Sequence, residues 1–128
     1  MFSDNYDVIV AGGGPAGVAA AVAAARRGVS VALIERYGIL GGMLTSGHVN
    51  PVLGSTAEGT IADELMGLLC RQQATSRNGL ERSIDPEEAK TVLLRFAAEA
   101  GVQVYLQTPV VDVVKEGDRV AGLAVGCS

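Results

Sequence analysis

The stretch DVIVAGGGPAGVAAAVAAARRGVSVALIER, residues 7–36, decides the fold. Tyr6 to Ala11 is a short β-rich run without alternation, the pattern of a strand buried on both faces of a parallel sheet. Pro15 to Arg27 is a strong helix former, heavy in Ala, with two arginines in its last turn and Gly28 as a stop. Val29 to Glu35 is a second apolar run of the fully buried type. The order is β-α-β, and a crossover of this length sets the two strands parallel.

Between the first strand and the helix lies Gly12-Gly13-Gly14-Pro15-Ala16-Gly17. A bare G-x-G-x-x-G is weak evidence, but here it leaves a strand and opens a helix. Gly12 permits the sharp turn out of the strand, Gly14 lets a pyrophosphate come against the backbone, and Gly17 lets the helix lie close on the sheet. Pro15 and Ala16 begin the helix, whose amino terminus offers free N–H groups and a positive dipole end. The pyrophosphate therefore needs no lysine. Ala21 and Ala25 continue the small face begun by Gly17. Glu35 ends the second strand 18 residues beyond Gly17, where a carboxylate can accept hydrogen bonds from a ribose diol. A 2′-phosphate there would meet a negative charge and is disfavoured. A purely structural β-α-β unit with a chance acidic strand end is the poorer reading.

Residues 36–57 hold many Gly, Ser, Thr and Pro without a clear period and read as a long loop, a length that is usually functional inside a compact domain. A helix is expected from Glu58 to Gln73, with Ile61, Leu65, Leu68 and Leu69 on one side, and residues 74–84 as a polar connection. Asp85-Pro86-Glu87-Glu88 carries a helix start: Asp85 caps, Pro86 sits where its missing N–H is harmless, and Glu88 closes a capping box. That helix runs to Ala100 and stops at Gly101. Val102 to Gln107 supplies a third strand, and Val110–Lys115 and Arg119–Val125 form a hairpin around Glu116-Gly117-Asp118. The class is α/β: a Rossmann-like three-layer dinucleotide-binding fold, with a parallel sheet core and a C-terminal hairpin or meander.

The 128 residues fit one domain, with 48% apolar and 19% charged residues. A net charge of −4 and the lack of any basic run argue against nucleic acid as a partner. Cys70 and Cys127 have no metal-ligand spacing, and two free thiols in a reducing compartment are preferred over one disulfide. The single histidine, His48, builds no His-based metal site alone. Residues 8–25 are apolar enough to resemble a membrane span, but the glycines and Pro15 break them, and Asp4 and Asp7 precede them where a signal peptide carries basic residues. A soluble, cytoplasmic protein is expected. Asp63, Glu64, Asp85, Glu87 and Glu88 read as solvated faces and caps rather than acid–base pairs, and Met43 and Met66 as packing residues.

Residues 7–36 followed by GILGGMLTSG at 38–47 resemble the FAD-dependent oxidoreductases of the glutathione-reductase structural class. More narrowly, they are similar to a bacterial family of such enzymes with an LGG-x-x-T segment after the second strand. IADEL at 61–65 and the stretch 85–123 follow the same pattern, so the resemblance covers nearly the whole chain. It implies FAD as cofactor, with Gly12, Gly14 and Gly17 at the pyrophosphate and Glu35 at the adenosine ribose. It further implies Arg36 flanking the adenine and Gly41, Gly42 and Met43 running toward the flavin. The backbone of Val110, two residues after Thr108, would meet the adenine. His48 sits in the loop expected near the isoalloxazine, although a lone loop histidine is more often a surface residue.

Two departures bound the resemblance. Disulfide reductases of this class carry paired cysteines just after the GG segment; GGMLTSGHVNPVLG has none, so dithiol chemistry of that type is excluded. The family also places another FAD-contacting segment and a substrate domain beyond this length. Residues 1–128 are therefore expected to be the amino-terminal portion of an FAD-binding domain, as a fragment, a truncated product or one subunit of a split enzyme. The expected activity is hydride or electron transfer between a small-molecule substrate and FAD. An NAD-binding dehydrogenase domain and a non-catalytic nucleotide-binding or assembly subunit are the alternatives. Unburied sheet edge and apolar faces would favour self-association or binding to the remaining polypeptide.

Overall fold

The computed structural model describes residues 4–70 and 81–126. Strands β1 (Val8–Ala11), β2 (Val31–Ile34) and β5 (Gln103–Tyr105) form a parallel sheet in the order β1-β2-β5. Helix α1 (Pro15–Ala25) crosses from β1 to β2, and α2 (Ile61–Leu69) and α3 (Pro86–Glu99) pack beside it. The core is the helical face of this sheet. Val18, Ala21 and Val22 of α1 are fully buried against Val31 and Leu33 of β2, with Leu93 and Phe96 of α3 and Leu65 and Leu69 of α2 closing the layer. Fully burying a Val or Leu side chain contributes about 1.5–3 kcal/mol.

The strands differ from expectation in an instructive way. All four residues of β2 are buried, as a central strand requires. β1 alternates instead, with Val8 and Val10 toward the helices and Ile9 37% exposed. An apolar run without alternation thus marks burial on both faces only for the middle strand. On the face away from the helices, Leu123 and Val125 stand near Ile9, Ala32 and Ile34 around a small cleft.

Helix ends follow local chemistry. α1 stops before the two arginines, with Arg26 as its C-cap and Gly28 at φ +84°. α2 starts at Ile61 rather than Glu58 because the Thr60 hydroxyl accepts the Asp63 N–H at 3.2 Å; the expected stretch beyond Cys70 lies outside the described residues. Asp85 Oδ1 accepts from the N–H groups of Glu87 and Glu88 at 2.7 and 3.2 Å, as the sequence predicts. Among the described residues the cap runs one way, from the Glu87 and Glu88 N–H groups to Asp85, without the return bond from the Glu88 side chain that a capping box adds.

The 36–57 segment is not an unbroken loop. A 3-10 turn occupies Gly42–Leu44, and β3 (Pro51–Leu53) pairs antiparallel with β4 (Glu81–Ser83), inside the expected connection. Three-residue strands are too short to leave a period in the sequence. β6 (Val110–Glu116) and β7 (Arg119–Val125) form the predicted hairpin around Gly117 at φ +63°. It is a sheet of its own, with every residue of β6 exposed.

Candidate cofactor site

The glycine loop sits between β1 and α1. Gly12 holds φ +109°, a conformation L side chains avoid, and its N–H donates to Ile34 O at 2.8 Å. A Cβ on Gly17 would lie 1.9 Å from Gly12 O, so only glycine lets α1 start this close to the strand exit. Gly14 differs: a Cβ there would meet no protein atom within 4 Å, and its backbone at φ −66° suits any residue. Nothing in the chain itself demands glycine at that point. The first-turn N–H groups of Gly14, Ala16 and Gly17 have no acceptor among the described residues, and α1 has no acidic residue in its first turn.

Glu35 lies one residue past β2 and is only 5% exposed. Its Oε2 accepts the Gly13 N–H at 2.7 Å and its Oε1 accepts the Tyr37 N–H at 2.8 Å. A carboxylate offers about four acceptor positions, so both oxygens keep capacity for further donors. The exits of β2 and β5 are laced together: Glu35 N–H donates to Tyr105 O, Thr108 N–H to Glu35 O, and Gln107 N–H to Tyr37 O. An open cleft of about 550 Å³ lies here, lined by Gly12, Glu35, Arg36, Tyr37, Thr108 and Val110 among others.

The second glycine segment docks on the first. Gly41 N–H donates to Gly13 O at 2.8 Å, and a Cβ on Gly42 would stand 3.3 Å from Gly14 Cα. Both glycines have positive φ, +110° and +50°. The Thr45 hydroxyl, fully buried, donates to Leu40 O at 2.6 Å and closes the turn, while a Cβ on Gly41 would run into Thr45 and Leu93. These contacts give the LGG-x-x-T spacing its physical reason.

Of the residues singled out from the sequence, Gly12, Glu35, Arg36 and Val110 therefore share one cleft. Gly14, Pro15, Ala16 and Gly17 form the helix start beside it, and Gly41 and Gly42 lie against that start. Met43 does not pack in the core as expected; it is 62% exposed, whereas Met66 is buried. His48 is exposed at φ +53°, with Nδ1 3.4 Å from Ser46 O. Sequence reading missed Gly13, Tyr37, Leu40 and Thr45. Glu64 is no free surface charge: it grips Arg26 through two hydrogen bonds at 2.6 and 2.8 Å, tying α2 to α1. Asp63 accepts from the Thr56 hydroxyl. Cys70 is a free, half-buried thiol, and Cys127 lies outside the described residues. Away from the cleft, the Tyr105 hydroxyl bonds Tyr6 and Asp4, which raises its pKa above the usual phenol range.

A strand-turn-helix glycine loop, free helix N–H groups and a buried acid at the second strand end define an α/β dinucleotide-binding unit. Known proteins agree. Residues 7–128 match the family model described as FAD dependent oxidoreductase, and the chain belongs to that family. Its cofactor is accordingly FAD, and the open face at Gly14 fits a group that carries a pyrophosphate. Thiamine thiazole synthase of Aeropyrum pernix is 39% identical over 124 residues, covering 95% of this chain and 44% of that protein. Digeranylgeranylglycerophospholipid reductase of Thermoplasma acidophilum is 28% identical, covering 95% and 35%. The crystal structure of Thermovibrio ammonificans THI4 superposes with a TM-score of 0.73 at 30% identity, over 95% of this chain and 48% of that one. The chain thus spans less than half the length of these relatives. Among the described residues no helix is long and apolar enough to cross a membrane.

Proposed function

We propose that residues 1–128 are the amino-terminal part of the FAD-binding domain of an enzyme that passes a hydride or electrons between a small-molecule substrate and FAD. Bound FAD supplies the redox chemistry; the chain supplies position and electrostatics. The N–H groups of Gly14, Ala16 and Gly17 take the pyrophosphate, with Gly12 making the turn and Pro15 presetting the helix. Glu35 takes the ribose diol, Arg36 and the Val110 backbone the adenine, and Gly41, Gly42 and Met43 the path toward the flavin. The observation that carries this reading is Gly14: a glycine that no protein atom requires, beside free helix N–H groups and a buried, backbone-held carboxylate.

The glutathione-reductase structural class and the LGG-x-x-T family fit the docking of the second glycine segment on the first. Val111, Val114 and Val120 of the hairpin are at least half exposed, which favours binding to further polypeptide or to a second copy. Monomeric elution at high concentration counts against self-association. The free thiol of Cys70 suits a reducing, cytoplasmic setting. Titration of the purified chain with FAD and separately with NAD, following flavin fluorescence and thermal stability, tests the cofactor. FAD is expected to stabilise it, and a response to NAD alone contradicts the reading.

A further inference from the structure

Tyr37 is a large aromatic residue left 47% exposed at the mouth of the cleft, yet its backbone is pinned twice. Its N–H donates to Glu35 Oε1 and its carbonyl accepts the Gln107 N–H. The direction in which the side chain leaves the backbone is therefore set by the laced exits of β2 and β5. The Arg36 guanidinium carbon stands 4.9 Å from the centre of that ring. Among the described residues no hydrogen bond or ion pair takes up the Arg36 guanidinium, and the Tyr37 ring is its neighbour.

Resting on the proposed cofactor reading, we infer that Tyr37 is a positioning residue for FAD. Its ring holds the Arg36 guanidinium by a cation–π contact over the adenosine cleft, so that the arginine meets the adenine already ordered. A long arginine free in water would lose rotamer freedom on meeting the cofactor, and a ring that orders it beforehand removes that cost. The aromatic face is required and the phenol hydroxyl is not.

The test is FAD affinity, read by flavin fluorescence on the full chain, for the wild type, Tyr37→Phe, Tyr37→Leu, Arg36→Gln and the Tyr37→Leu/Arg36→Gln double variant, each checked for folding by thermal unfolding. Tyr37→Phe is expected to bind as the wild type does, and Tyr37→Leu about fivefold more weakly. The double variant should bind no worse than Arg36→Gln, because the ring acts only through the arginine. Tyr37→Leu binding like the wild type, Tyr37→Phe failing with it, or losses that multiply in the double variant would each overturn the inference while leaving the cofactor reading intact. If Tyr37→Leu does not fold, Tyr37→Phe and Arg36→Gln decide: a loss in the first, or none in the second, overturns it.

Discussion

The Gly13 N–H donates to Glu35 Oε2 at 2.7 Å, a buried bond that spans 22 positions of the chain. The residue between the first two motif glycines and the acid at the end of β2 are thus one unit. With Tyr37 N–H on the other oxygen, the carboxylate is aimed before any ligand arrives.

Glu35→Gln breaks this arrangement. The amide oxygen can accept one of the two N–H groups, but its NH₂ then faces the other donor. Leaving a buried donor unpaired costs about 1–3 kcal/mol. Urea unfolding should show that loss alongside weaker FAD binding. Unchanged stability would mean the carboxylate does not organise the loop.

Gly13→Ala places a Cβ 2.4 Å from Leu40 Cδ2 and 3.0 Å from Glu35 Oε2. Overpacking of this kind costs about 1–3 kcal/mol. Shortening Leu40 to Ala in the same chain should recover part of it, which denaturation midpoints of the single and double variants would reveal as non-additivity.

Thr45→Val keeps the shape of a fully buried side chain and removes the donor to Leu40 O. A cost of about 1–3 kcal/mol is expected, together with weaker FAD binding as the Gly41-Gly42 turn loosens. Equal stability of variant and wild type would show that the turn holds without this bond.

Two exposed carboxylates contribute to the acid dependence of stability. The Arg26 guanidinium holds Glu64 below its ordinary 4.5, and the Ser30 hydroxyl and N–H hold Asp7 below 3.8. A pKa lowered by folding gives stability that is complete above the ordinary value and is lost as pH falls through the lowered one. Stability should therefore drop as pH falls below 4.5 and further below 3.8, and the drop should shrink in the Glu64→Gln/Asp7→Asn variant. An identical acid profile for that variant would refute the assignment.

What the sequence carried follows from length and period. The β-α-β unit, the Asp85 cap and the hairpin were legible because each has a local signature: a glycine motif, a capping side chain, two seven-residue strands around a tight turn. β3 and β4 were not, because three residues make no period and their pairing joins distant segments. Gly12, Glu35, Arg36 and Val110, singled out from motif and resemblance, line one cleft. Gly13 and Tyr37 were missed because their part is played by backbone N–H groups, which no side-chain pattern reports. Thr45 stood in the quoted LGG-x-x-T segment without a role until its hydroxyl was seen on Leu40 O.

The most direct measurement is FAD affinity of Gly14→Val beside its thermal stability. No protein atom lies within 4 Å of a Cβ at Gly14, so folding should be little changed while FAD binding falls steeply. A variant that binds FAD as well as the wild type would show that the cofactor does not come against this backbone, and the cradle would have to be sought elsewhere.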